Sequence, residues 1–111
     1  MSETGLVPGG EIAVYQAADG AVRVEARLEH DTVWVTQAQM GELFGRERSV
    51  ITKHVRNVFR EGELAEERNV QNLHIAGSDK PVGFYNLDVI ISVGYRVKSL
   101  RGTQFRIWAT R

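Results

Sequence analysis

Residues 36–60, TQAQMGELFGRERSVITKHVRNVFR, constrain the fold more than any other stretch of this chain. They read as a short helix, a glycine turn and a second helix. Gln37, Ala38, Met40, Leu43 and Phe44 recur at helical spacing and give the first helix one apolar face. Thr36 stands before them as an N-cap, its hydroxyl placed to accept a first-turn N–H. Gly45 follows Phe44 where the chain needs a positive φ to leave the helix. The second helix starts near Arg48, with Ile51, Val55, Val58 and Phe59 on one side and Arg48, Ser49, Thr52, Lys53 and Arg56 on the other. Two short helices around a three- or four-residue turn containing glycine form the helix-turn-helix pattern. The same spacing also fits two helices that only pack against each other.

Three features favour DNA as the partner of the polar side. The exposed side of the first helix is nearly uncharged. Small Ser49 and Thr52 sit beside long basic groups, so the second helix can approach a groove closely. Arg46 and Arg48 flank a helix N-terminus, which itself favours phosphate. In a docked complex Arg48 and Arg56 are the candidates for bidentate contacts to guanine, and Thr52 for a thymine methyl, with Ser49 close to the bases. Arg46, Lys53 and Arg60 are the candidates for phosphates.

Net charge is zero over 111 residues, which by itself does not suggest a nucleic-acid partner. The distribution does. Residues 1–45 hold two basic and seven acidic side chains, a net of −5, whereas residues 46–111 hold twelve and seven, a net of +5. A basic second half is the electrostatic footprint expected of a phosphate-binding surface, provided that the halves do not interleave in space. The length indicates one domain, and the apolar content of 42% is that of an ordinary globular chain. No cysteine is present, which excludes disulfides, thiolate zinc sites and cysteine nucleophiles and fits a cytoplasmic protein. No apolar run approaches the roughly 20 residues that span a bilayer, and the start MSETGLVPGGE has neither region of a signal peptide, so no membrane partner is expected.

Residues 1–10 read as a flexible tail, and residues 11–111 as a single domain. Ile12 and Val14, then Val22, Val24, Ala26 and Leu28, alternate with polar residues around an Asp19-Gly20 turn, which predicts a β-hairpin. Residues 32–35, TVWV, predict a third strand, with Trp34 as core filler or, alternatively, an interface anchor. Glu61 and Gly62 close the second helix, and residues 63–69 read as a polar loop with room for a helical turn. Residues 73–76 and 82–85 predict a second hairpin around the turn residues 77–81. After a helix-turn-helix such a hairpin stands where a wing would, with Lys80 at its tip within reach of a phosphate; a hairpin serving only as sheet fits equally. Asn86 caps a third helix from 87 to about 98, with Val89, Ile90, Val93 and Val97 apolar and Gly94 open to close packing. Residues 99–102 break it, and Thr103 caps a last helix over 104–111 that ends without a stop signal, as in a piece of a longer protein.

These strings carry a resemblance. DTVWVTQAQMGELFGRERSVITKHVRNVFREGEL and NVQNLHIAGSDKPVGFYNLDVIISVGYRVKSLRGTQFRIWATR closely resemble the N-terminal region of the bacterial RhuM family of virulence proteins, over nearly the whole chain from Ile12. In some relatives a Fic/Doc domain follows. More distantly, the layout is similar to the Bro-N type domain of phage antirepressors, in which a comparable start precedes helices like YNLDVIISVGYRV and FRIWAT. The resemblance implies an N-terminal DNA-binding module from a mobile-element or virulence-associated locus. It implies no catalytic residue, and the Fic motif is not in these residues.

The catalytic inventory is thin. His30, His54 and His74 are far apart, with no second His at i+3 or i+4. Glu61, Glu63, Glu66 and Glu67 read as a solvated acidic stretch, and no phosphate-cradling glycine loop or GxSxG elbow is present. The expectation is therefore a non-enzymatic α+β domain, winged helix-turn-helix-like, with an N-terminal β-hairpin and two C-terminal helices. It needs no cofactor, metal or small-molecule ligand. It binds double-stranded DNA, is expected to do so as a homodimer, and uses Arg46, Arg48, Ser49, Thr52, Lys53, Arg56, Arg60 and Lys80. The rival is a protein-interaction or oligomerisation module.

Overall fold

A computed structural model describes residues 11–17, 20, 22–77 and 79–110. The expected tail, residues 1–10, lies outside the described residues, as do Ala18, Asp19, Ala21, Ser78 and Arg111. The elements are β1 (Glu11–Gln16), β2 (Arg23–Glu29), β3 (Thr32–Val35), α1 (Gln37–Phe44), α2 (Arg48–Arg60), α3 (Glu66–Asn69), β4 (Val70–Leu73), β5 (Val82–Asn86), α4 (Leu87–Val97) and α5 (Leu100–Ala109). The class is α+β, as the change from period two to helical periodicity predicts. Among the described residues no helix is long and apolar enough to cross a membrane.

The strands form one sheet in the order β1-β2-β3-β5-β4, antiparallel throughout. The two expected hairpins are thus not separate. β3 pairs with β5 through Trp34↔Asn86 and Val35↔Tyr85, which sets the hairpin that follows α2 beside the strand that precedes α1. The three helices α1 to α3 leave the sheet between β3 and β4, and the chain returns as edge strand β4 before β5 takes its place beside β3. His30 and Asp31 make the β2–β3 turn with φ of 56° and 63°, the left-handed pair that matches strand twist.

Strand side chains alternate between faces, and the faces differ in content. Val24, Ala26, Val33 and Val35 join Met40, Leu43, Phe44, Ile51, Val55, Val58, Val89, Ile90, Val93 and Phe105 in one buried cluster. Tyr15 extends it along β1, its ring 5.1 Å from Phe105 and 5.2 Å from Trp108 at steep angles, which ties α5 to the N-terminal hairpin. Trp34 is buried as expected of a core filler, yet it lies outside that cluster, on the other face. There its indole N–H donates to the Glu29 carbonyl at 3.0 Å, across from buried Arg27.

Two boundaries depart from the sequence reading. β4 begins at Val70 and ends at Leu73, three residues earlier than the predicted strand. Leu73 is the partner of Val82, and Pro81 before it has no N–H to donate, so residues 74–76 have no strand to pair with. The connection becomes residues 74–81. α5 begins at Leu100, not after a Thr103 cap, so Gly102 lies inside a helix. The reason is packing: a Cβ at Gly102 would stand 2.9 Å from Phe44 Cε1, and one at Gly94 would stand 3.4 Å from the same ring. The two glycines let α4 and α5 cross over Phe44. The apolar face of α1 also shifts, because Met40, Gly41, Leu43 and Phe44 are buried while Ala38 is exposed and Gln37 half-buried.

Candidate nucleic-acid interface

The geometry of α1, its turn and α2 follows from three local devices. Thr36 closes a capping box: its hydroxyl accepts from the Gln39 N–H at 3.1 Å, and its own N–H donates to Gln39 Oε1 at 2.8 Å. Gly45 ends α1 at φ 67°, a conformation costly for a residue with Cβ. Gly41 supplies the third device, which the sequence reading missed. A Cβ there would lie 2.9 Å from the Arg46 carbonyl, so only glycine lets residues 45–47 fold back against α1. A glycine four residues before the turn glycine was the available signal.

α2 buries Ile51, Val55 and Val58 and half-buries Phe59, as its periodicity predicts. Arg48, Ser49, Lys53, Arg56 and Arg60 are exposed on the opposite side, and no acidic residue occurs in the helix. Arg60 donates to the Asn57 side chain one turn back. Thr52 is half-buried at the edge of this face, its hydroxyl donating to Gln37 Oε1 at 2.5 Å. Arg46 is set apart from the others. Its guanidinium donates to the carbonyls of Phe44 and Gly45, at 3.3 and 3.2 Å, and to Val97 at 3.1 Å. It thereby binds the carbonyl ends of α1 and α4, where a cation is favoured.

Between α2 and the β4–β5 connection runs a groove of two adjoining concavities that share Gln37 and Tyr85. One is lined by Thr52, Val55, Arg56, Phe59 and Arg60, with Glu66 the acid on its wall. The other is lined by Arg48 from α2 and by Ile75, Lys80, Pro81, Val82 and Gly83 from the hairpin. The structure therefore brings Arg48, Thr52, Arg56, Arg60 and Lys80 around one concave surface, with Ser49 and Lys53 exposed on the same helix. Gln37 and Tyr85 complete the floor and were not expected there. Gln37 stood in the predicted apolar face, and Tyr85 read as a strand residue.

On the other side of α2 the acidic stretch is organised, not merely solvated. Arg96 of α4 donates to Glu61 at 2.9 Å and to Glu63 at 2.8 Å, and the Ser92 hydroxyl donates to the other Glu63 oxygen at 2.6 Å. The Ser92 and Arg96 bonds hold the Glu63 carboxyl below its usual range. Burial, with the Lys53 and Arg96 cations, holds the His54 imidazole below its ordinary value. His30 contacts Glu29 at 2.9 Å, and His74 lies exposed in the β4–β5 connection. Among the described residues no three His, Asp or Glu side chains stand together as metal ligands.

No curated protein and no solved structure matches this chain, and the likeness to Bro-N type domains has no counterpart among these comparisons. Residues 57–111, from the last turn of α2 to the end, match the model of the virulence protein RhuM family. Over these residues the chain carries a RhuM-like segment, similar to the virulence protein RhuM family.

Proposed function

We propose that this chain is a regulatory double-stranded DNA-binding module in which α1, the turn and α2 act as a helix-turn-helix and the β4–β5 hairpin as its wing. The observation that carries the reading is the exposed side of α2, where Arg48, Ser49, Lys53, Arg56 and Arg60 stand together without an acidic residue and open onto a groove with Lys80 on its far wall. α2 enters the major groove. Arg48 and Arg56 reach guanine edges as bidentate donors, each worth roughly 1–3 kcal/mol of discrimination. Ser49 allows close approach, and Thr52, its hydroxyl engaged by Gln37, presents its methyl. Lys53, Arg60 and Lys80 neutralise phosphates. Arg46, bound to three carbonyls, acts by fixing the turn and takes a phosphate only at the edge of the contact.

Fluorescence anisotropy with a labelled mixed-sequence duplex tests this at two salt concentrations. Affinity falls steeply as salt rises, because each neutralised phosphate releases counterions. The Arg48→Ala/Lys53→Ala/Arg56→Ala variant loses binding while its circular dichroism is unchanged. Absence of binding by the wild-type chain at low salt, with the fold intact, removes the reading.

One observation favours the second reading, a protein-interaction module. Tyr95, Leu100 and Ile107 are exposed on α4 and α5, the first two at 71% and 75%. As a contact between two copies, this face would also supply the homodimer that many duplex readers use. Sedimentation velocity across a concentration series checks it. A dimer that Leu100→Asp dissociates supports this reading, and a monomer throughout removes it.

A further inference from the structure

The floor of the groove carries a connected set of side chains from three elements. Thr52 of α2 donates to Gln37 of α1 at 2.5 Å, and the Gln37 amide donates to the Tyr85 hydroxyl of β5 at 2.8 Å. All three are half-buried. The amide thus spends its carbonyl on one partner and an N–H on the other. With a lone pair of Tyr85 occupied by Gln37, the phenolic proton is left to donate elsewhere, and among the described residues no acceptor takes it. The phenol tip leans over Gly83, where a Cβ would stand only 3.1 Å from the hydroxyl. Tyr85 therefore holds a donor at the junction of the two concavities, with Arg48 and Lys80 lining one and Arg56 and Arg60 the other.

We propose that the Tyr85 hydroxyl is a phosphate-binding donor: it hydrogen-bonds a phosphodiester oxygen of a strand seated between α2 and the hairpin, and Gln37 and Thr52 orient it. The inference rests on the nucleic-acid reading above and adds to it a neutral contact at the centre of a cationic groove. The cations attract the backbone from any direction. A single fixed donor between them selects one position for a phosphate and so sets how deeply α2 docks. Gln37 and Thr52 are positioning residues in this arrangement, and Tyr85 is the contact.

A neutral contact has a signature that the arginines lack. Losing it weakens binding without changing the number of counterions released. The test measures Kd for a 20-base-pair mixed-sequence duplex by anisotropy over a salt series, for the wild-type chain, Tyr85→Phe, Gln37→Met, the double variant and Lys53→Ala. Tyr85→Phe is expected to weaken binding about 10- to 150-fold at every salt, from the worth of a hydrogen bond to a charged group, with the slope of log Kd against log salt unchanged. Gln37→Met gives a similar or smaller loss, and the double variant loses no more than Tyr85→Phe, because both act on one donor. Lys53→Ala, which removes a phosphate contact, instead lowers the slope by about one. Thermal melts verify that each variant is folded. Should Tyr85→Phe fail to fold, Gly83→Ala, which crowds the hydroxyl without removing it, replaces it with the same expectation. Wild-type affinity in the folded Tyr85→Phe protein, or a loss that tracks the salt slope, overturns the inference and leaves the DNA reading standing. No binding by the wild-type chain overturns both.

Discussion

At the scale of single residues, three glycines decide how closely the helices approach. Phe44 is 1% exposed, and its ring lies under the crossing of α4 and α5 at Gly94 and Gly102. Helix propensity alone favours alanine over glycine by about 1 kcal/mol in a helix interior. Packing acts against it here, because the Gly102 Cβ would meet a fully enclosed ring at 2.9 Å. Overpacking of this kind costs about 1–3 kcal/mol. Gly102→Ala is therefore expected to lower stability in urea or thermal unfolding, reversing the sign that propensity gives; a stabilised variant would show that the ring has room to move. Gly41→Ala is expected to cost at least as much, since the atom it meets is the Arg46 backbone carbonyl and the turn itself must shift. By moving the start of α2, Gly41→Ala also weakens any contact that α2 makes, which the same anisotropy titration reads.

Among elements, the α2–α4 junction makes stability depend on pH. Glu63 is held below its usual range by Ser92 and Arg96, and His54 below its own by burial and the Lys53 and Arg96 cations. Both folded values are depressed, so in each case the unfolded chain binds the proton more readily, and stability rises with pH. The His54 contribution is complete above about pH 6.5, the ordinary imidazole value, and declines as pH falls from there. The Glu63 contribution is complete above the ordinary carboxylate range and is lost as pH falls through the depressed value. Melting temperature is thus expected to fall in two stages on acidification. His54→Gln removes the first stage and Glu63→Gln flattens the second. Identical pH profiles for the wild-type chain and both variants would refute the assignment. Elements were also where the sequence was most and least legible. Capping residues and apolar periods located α1, α2 and α4 almost to the residue, because their signals are local: Thr36 and Asn86 cap as their side chains allow. The starts of β4 and α5 were not legible. One depends on Leu73 facing Val82, the other on Gly102 facing Phe44, and both partners are distant in sequence. The groove was half legible for the same reason. Its cations could be read from α2 alone, whereas its floor exists only because β5 returns beside β3 and carries Tyr85 to Gln37.

At the scale of the whole molecule, that return of the chain sets which parts can fold alone. The family match begins at Asn57, inside α2, yet no structural boundary lies there. Residues 57–111 contribute Val58, Val89, Ile90, Val93 and Phe105 to the core, and these pack in one cluster with Tyr15, Val24, Val35, Met40, Leu43, Phe44 and Ile51 from the first half. β5 would lose β3, its inner neighbour in the sheet, and keep only the four-residue β4. Such a two-stranded remnant is marginal in water. α4 and α5 would lose the ring over which they cross. The matched segment is thus a sequence unit without a core of its own. Expressed alone, residues 57–111 are expected to show little cooperative structure by circular dichroism and poorly dispersed amide resonances. The 111-residue chain is expected to melt in a single transition that coincides when followed by far-ultraviolet dichroism and by fluorescence of Trp34 and Trp108. The two tryptophans report on different regions, Trp34 on the far face of the sheet and Trp108 on the Tyr15–Phe105 cluster. Two separated transitions, or a folded 57–111 fragment, would mean that the hairpin of β1 and β2 is an accessory to the family segment. One transition and an unfolded fragment mean that α2 and the groove keep their geometry only when both halves of the chain are present.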